Sequence, residues 1–220
     1  MAMPFMVAIS TAGQKMVNGI DSFSLLAVPL FIMAGNIMNH GGIARRLVDF
    51  AYLFVGKIPG AVSHVNIIAN MLFGSVSGSA VAAVAAVGKT LLPEAEKTGL
   101  NKELFAAANI ASGPTGQIIP PSNGMIVYSV VSGGTSIGAL FLAGYLPGIL
   151  MGLCSTLVVA IYLKLHPSWA GKNQEHKYTL SQVLTVIWRA LPSLLMIVVV
   201  IGGIITGIYT ATEAACSAVV

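Results

Sequence analysis

Two stretches of this chain bring together residue types that can hold an ion or a small polar molecule. The first is Gly74-Ser75-Val76-Ser77-Gly78-Ser79-Ala80, in which serine hydroxyls alternate with small residues. The second runs through Gly113-Pro114-Thr115-Gly116 to Ile118-Ile119-Pro120-Pro121-Ser122-Asn123. Consecutive prolines break a helix, because each lacks a backbone donor and clashes with the turn before it. The carbonyls freed at a break, with hydroxyl and carboxamide oxygens beside them, make a set of neutral ligands. Such a set suits a weakly held, partly dehydrated Na+. The C-terminus of a half-helix adds negative dipole to that ion, and the N-terminus of the next half-helix faces an anion.

Both stretches lie in apolar surroundings. Of 220 residues, 56% are hydrophobic and 8% charged, with mean hydropathy +0.87. A soluble domain carries about 25% charged residues, so the sequence predicts an all-α, polytopic transmembrane helical protein in a lipid bilayer. Lipid cannot satisfy freed backbone groups, which survive at membrane depth only when buried in protein or lining a cavity. A break at Pro120–Pro121 inside the apolar run from Phe105 to Val131 therefore reads as a site. The net charge of +4 comes from few basic residues spread over several connections. That is the pattern of a positive-inside topology, and no nucleic acid is expected as a partner.

Hydropathy also locates the elements that must position these residues. Ser22–Asn39 is the first clear span, preceded by a mixed segment that reads as the end of a helix and a connection. In residues 41–60 the apolar core, Leu47–Val55, falls short of the roughly 20 residues a span needs. Punctuated by Arg45, Arg46, Asp49 and Lys57, it suits an amphipathic helix lying at the interface. Ala61–Phe73 and Val76–Leu92 flank the Gly/Ser string, and residues 89–103 read as a polar, basic loop. After the broken helix come a long span, Ile137–Leu165, a polar loop, and another span, Trp188–Tyr209. Thr210–Ala215 opens a last span that reads as truncated, because the sequence stops within an apolar run.

Charge decides how residues 61–92 sit. A single crossing would put Arg45, Arg46 and Lys57 opposite Lys89, Lys97 and Lys102, against the positive-inside rule. A hairpin that enters, turns near Ser75–Ser79 and leaves on the same side places all but Lys15 of the 11 basic residues on one face. The sequence thus predicts a re-entrant hairpin at 61–92 and a broken transmembrane helix at 104–132.

Each feature has a plainer reading beside it. Gly74-x-x-x-Gly78 also matches close helix packing. The hydroxyls of Ser75, Ser77 and Ser79 can bond back to the preceding turn. Glu213 is either a functional intramembrane carboxylate or part of a helix cap with Thr210 or Thr212. Asp21 reads as a helix cap, and Asn36 and Asn109 can bond across helices or line a cavity. Cys154 and Cys216 read as inert buried thiols, and the histidines form no metal-ligand pattern. Metalloprotease, serine-nucleophile and phosphate-binding patterns are absent from the sequence, which argues against an enzyme.

At these residues the chain resembles the large permease subunit of tripartite ATP-independent periplasmic (TRAP) transporters. The resemblance rests on SFSLLAVPLFIMAGNIM at Ser22–Met38, GSVSGSAVA at Gly74–Ala82, ASGPTGQIIPPSN at Ala111–Asn123 and GIYTATEAA at Gly207–Ala215. It implies a Na+-coupled, elevator-type importer of organic acids in the bacterial inner membrane. Such a permease works with a small four-helix membrane subunit and a periplasmic substrate-binding protein. Matched residue by residue, Ser75, Ser77, Gly78 and Ser79 correspond to the first hairpin tip. Gly113, Thr115, Gly116, Pro120, Pro121, Ser122 and Asn123 correspond to the unwound helix opposite. The resemblance implies ion ligands among Ser75, Ser77, Gly78, Ser79, Gly113, Thr115, Gly116 and Pro120, and substrate contacts at Pro121, Ser122 and Asn123. Residues 207–220 correspond to the opening of a second repeat, so 1–220 reads as a partial permease domain, about half a family member in length. C4-dicarboxylates, sialic acids and keto-sugar acids all stay open as substrates. Two other readings stay open as well: a stand-alone sodium/dicarboxylate symporter and a non-transporting, truncated membrane scaffold.

Overall fold

The computed structural model describes residues 4–172 and 179–219. His176, Lys177 and the rest of the polar loop after Lys172 lie outside the described residues, as does Val220. Among the described residues every regular element is helical: α1 (Phe5–Ile20), α2 (Ala27–His40), α3 (Ile43–Val55), α4 (Ala61–Ser77), α5 (Ala80–Thr98), α6 (Lys102–Ile118), α7 (Asn123–Val131), α8 (Ile137–Leu165), α9 (Leu180–Ile205) and α10 (Ala211–Val219), with short 3-10 turns before α2 and after α8. Phe23–His40, α8 and α9 are long and apolar enough to cross a membrane. The protein is an all-α, polytopic membrane protein.

The packing starts from two helices that run side by side in the same direction. Ile67 of α4 packs with Ala108 of α6. One turn on, Asn70 bonds Asn109 and Ser112. Further along, Gly74 faces Gly116, and Gly78 faces Asn123. A Cβ on Gly74 would stand 2.6 Å from the Gly116 Cα, so the backbones touch. Gly74, the first glycine of the Gly-x-x-x-Gly pair, therefore does serve close helix packing.

α5 turns back along α4. Val62 and Val65 of α4 share a core with Leu91 and Ala95 of α5, and Ala61 and Thr98 line one small cavity. α8 runs antiparallel to the pair. Its Leu163 packs over Gly60, while Gly148 and Gly144 let it close on Ile119 and Ile118 at the other end. α2 seats Gly35 against Ser77, where a Cβ would lie 3.0 Å from the serine Cβ. α10 packs with α2 through Ala214, Ala215 and Phe31, and Thr212 donates to the Phe23 carbonyl at 2.9 Å.

One end of the bundle gathers positive charge. The start of α4, the end of α5, the start of α6 and the end of α8 meet there. Lys172 N–H donates to the Thr98 carbonyl at 2.7 Å, and Asn101 N–H to the Trp169 carbonyl at 3.1 Å. Lys57, Lys97, Lys102, Lys164 and Lys172 all belong to these segments. α3 buries Leu47, Val48, Ala51, Tyr52 and Val55, and pairs an exposed Arg45 with a half-buried Asp49 at 3.3 Å. Burial holds the Asp49 carboxyl above its ordinary range despite Arg45.

Three elements differ from the sequence reading. The mixed segment before Ser22 is a continuous helix, α1. The polar stretch after Lys89 stays helical through Thr98, even across Pro93. There Leu91 and Ala95 are buried in the core, and Gly99 at φ +72° stops the helix. The span placed at Trp188–Tyr209 starts at Leu180, because Thr179 and Gln182 form a capping box, and it ends at Ile205.

Candidate functional site

Two chain breaks arise for different local reasons and end side by side. α4 ends because Gly78 takes φ +63°, a left-handed conformation that only glycine adopts at little cost. Its N–H still closes the helix by donating to the Gly74 carbonyl at 2.8 Å. Ser79 then turns extended, and its hydroxyl accepts from Ala82 N–H at 3.3 Å to start α5.

α6 ends because no donor follows. Ile119 N–H bonds the Thr115 carbonyl at 3.1 Å. The next two donors would have served Gly116 and Gln117, but they belong to Pro120 and Pro121 and do not exist. Ser122 is extended and accepts from Met125 N–H at 3.4 Å, opening α7.

The breaks meet across Gly78 and Asn123. A Cβ on Gly78 would stand 3.1 Å from the Asn123 carboxamide. Asn123 Oδ1 is buried with no hydrogen-bond partner among the described residues. Ser77, Gly78, Pro120, Pro121 and Ser122 are buried, and Asn123 is half-buried. Since α4 and α6 point the same way, their negative C-terminal ends lie together. The positive N-terminal ends of α5 and α7 begin at the same level. An open cleft of about 430 Å³ reaches the far side of the break, lined by Gln117, Ser122, Gly124, Met125 and neighbours.

α4 and α6 each hold 17 residues, so both breaks stand about 26 Å from the basic end at 1.5 Å per residue. α8 continues past them, from Gly144 at the break to Ile137. The irregular backbone therefore falls within the length of a spanning helix.

The other residues singled out in the sequence have varied placements. Ser75 bonds back to the Leu72 carbonyl at 2.8 Å, the plainer of its two readings. Ser77 reaches across the tip to the Ser79 carbonyl at 3.4 Å. Thr115 is fully buried, with its hydroxyl on the Ser112 carbonyl. Gly116 lies against the Asn70 carbonyl and Gly74. Gly113 faces the first turn of α5, against Val84 and the Ala80 carbonyl just past the tip. Glu213 accepts from the N–H and hydroxyl of Thr210 at 2.7 and 2.8 Å, while Glu213 N–H donates back to that hydroxyl at 3.3 Å. It is the partner in a helix cap. Asn36 is exposed and lines a shallow groove on α2. Cys154 and Cys216 are exposed free thiols, against the expectation of burial.

The sequence reading passed over Asn66, Asn70 and Ser112, which join Asn109 in a buried polar cluster. The signal was available: two asparagines four apart within the apolar run His64–Leu72 must share one helix face.

The whole chain, residues 1–220, matches the family described as "Tripartite ATP-independent periplasmic transporter, DctM component". It is 53% identical over 219 residues to the "uncharacterized protein YgiK" of Salmonella typhimurium, covering 100% of this chain and 49% of that protein. It is 37% identical to the C4-dicarboxylate TRAP transporter large permease protein DctM of Rhodobacter capsulatus, covering 97% and 51%. It is 40% identical to the sialic acid TRAP transporter large permease protein SiaM of Vibrio cholerae, covering 94% and 47%. The chain spans about half the length of these curated relatives.

Proposed function

Because the chain belongs to the DctM component family of tripartite ATP-independent periplasmic transporters, we propose that it forms the ion-binding half of a Na+-coupled importer of organic acids. One observation carries this reading: two helix breaks converge, with the Gly78 tip against Asn123 and its unpartnered buried oxygen. Na+ is cargo here. It sits where the C-termini of α4 and α6 meet, with the donor-less carbonyls of Gly116 and Gln117 among its ligands. The acid's carboxylate lies toward Ser122, Asn123 and the N-termini of α5 and α7.

Sodium binding orders the tip against the break, and the ordered tip completes the substrate site. Ion and substrate then favour the same closed state, which couples them. The loaded unit, α4 to α7, moves as an elevator along the helices that frame it, with the hairpin re-entering from the basic, cytoplasmic end. The complete transporter lies in the bacterial inner membrane and works with a small four-helix subunit and a periplasmic substrate-binding protein. Relatives named for C4-dicarboxylate and for sialic acid leave the organic acid itself open.

The test is uptake of a panel of radiolabelled organic acids into proteoliposomes. These hold the complete protein that carries this chain, its small subunit and its binding protein. Uptake that needs both an inward Na+ gradient and the binding protein is expected. Uptake equal in Na+ and choline contradicts the coupling.

A further inference from the structure

Gln117 is the last polar side chain of α6 before the proline break. It stands half-buried in the cleft of about 430 Å³ beside that break. Its carboxamide has no hydrogen-bond partner among the described residues. Ile118, Met125 and Leu140 give the cleft mostly apolar walls. The break falls within the length of a spanning helix, where lipid offers a carboxamide nothing. A donor and an acceptor left open in an apolar cleft are the usual means of fixing how a small ligand lies.

The neighbours of Gln117 narrow the ligand. α7 opens at Ser122, whose hydroxyl accepts from Met125 N–H at 3.4 Å. The N–H groups of Asn123 and Gly124, at the first two positions of the helix, have no partner among the described residues. Gly124 has no left-handed φ, so its missing side chain serves space and not backbone freedom. A Cβ there would stand 3.4 Å from Gln117 Nε2 and 3.8 Å from Ser122 Oγ. Without it, a cradle lies open between the carboxamide and the start of α7. A carboxylate seated on two helix-opening N–H groups is favoured by the dipole. The Gln117 carboxamide then faces the carbon next to that carboxylate. It can donate to a keto oxygen there, or both donate to and accept from a hydroxyl.

We propose that Gln117 is a specificity-determining residue of the substrate site. It reads an oxygen on the carbon next to the carboxylate, so the site takes 2-hydroxy and 2-oxo acids in preference to acids bare at that carbon. This rests on the importer reading above, in which the carboxylate lies toward Ser122, Asn123 and the start of α7.

Matched pairs of acids, differing by one oxygen at that carbon, test it: lactate and propionate, malate and succinate, 2-oxoglutarate and glutarate, sialic acid and its 2-deoxy form. The complete protein in detergent is titrated with each in Na+, with choline as the control cation. Binding is read from the rise in unfolding temperature. The oxygenated member of at least one pair is expected to bind about tenfold more tightly. Gln117→Leu leaves the backbone carbonyl in place and removes the carboxamide. It is expected to erase that preference by weakening the oxygenated acid alone, which a purely structural role would not do. Gln117→Asn draws the carboxamide back by one carbon and is expected to erase it too; it decides the question if Q117L does not fold. An unchanged preference, equal weakening of both members, or a wild-type protein that prefers neither member of any pair overturns the proposal while the importer reading stands. No Na+-dependent binding of any acid overturns both.

Discussion

The two breaks are made by opposite means. At Gly78 the chain turns by backbone freedom, and the helix still closes its last hydrogen bond on the Gly74 carbonyl. At Pro120–Pro121 it turns by loss of donors, which leaves the Gly116 and Gln117 carbonyls without helical partners. The glycine break is hydrogen-bonded but hinge-like, and the proline break is rigid but rich in unused oxygen. In the proposed function they divide the work of a closing site: the proline break would supply ligands that stay in place, and the glycine tip the part that moves onto them.

The contact joining the two regions should be the most sensitive to change. A methyl at Gly116 meets the Asn70 carbonyl and the Gly74 Cα with no flexible side chain to give way. Gly116→Ala is expected to destabilise the complete protein by about 3 kcal/mol or more, the upper end of core overpacking. Thermal unfolding in detergent measures it. An unchanged midpoint would mean that the helices are not in backbone contact.

Next in size is the double variant P120A/P121A. It restores two donors, lets α6 run on, and caps the Gly116 and Gln117 carbonyls. Na+ affinity should fall about tenfold, on the scale of losing one or two charge-assisted contacts, while thermal stability is kept. Equal losses of both would place the prolines in structure alone.

Gly78→Ala probes the other break. The left-handed conformation costs a non-glycine residue about 1–2 kcal/mol, and the new methyl presses on Asn123, 3.1 Å away. Uptake should fall more than stability does, because the strain acts on the closed tip. The smallest effects belong to the paired caps. Ser79→Ala and Ser122→Ala should each cost about 0.5–1 kcal/mol by chemical denaturation. If the account holds, S122A, beside the proposed substrate carboxylate, raises the KM for substrate and S79A does not.

How much of this was legible in the sequence follows from the range of the forces involved. Both breaks are local chemistry, so Gly78 and Pro120–Pro121 could be located from their residue types. The positive-inside argument grouped the basic residues; Lys97 of α5, Lys102 of α6 and Lys164 of α8 do meet at one end, while Lys89 stands midway along α5. The Asn70 cluster was not legible as a cluster. Asn109 stood out alone, but its partners sit about forty residues away, and only the parallel register of α4 and α6 brings them together. The start of α9 was missed although Thr179-x-x-Gln182 is a capping-box pattern, because hydropathy was weighed over capping. Glu213 shows the reverse case: a carboxylate in an apolar setting that proves to be a cap once Thr210 is seen beside it.

The central claim is that both breaks form one sodium-dependent site. Hydrogen exchange of the complete protein, followed through residues 75–80 and 119–124 as Na+ replaces choline, tests it most directly. The account predicts that exchange slows in both segments with one common midpoint. Slowing in only one segment, or in neither, would contradict it.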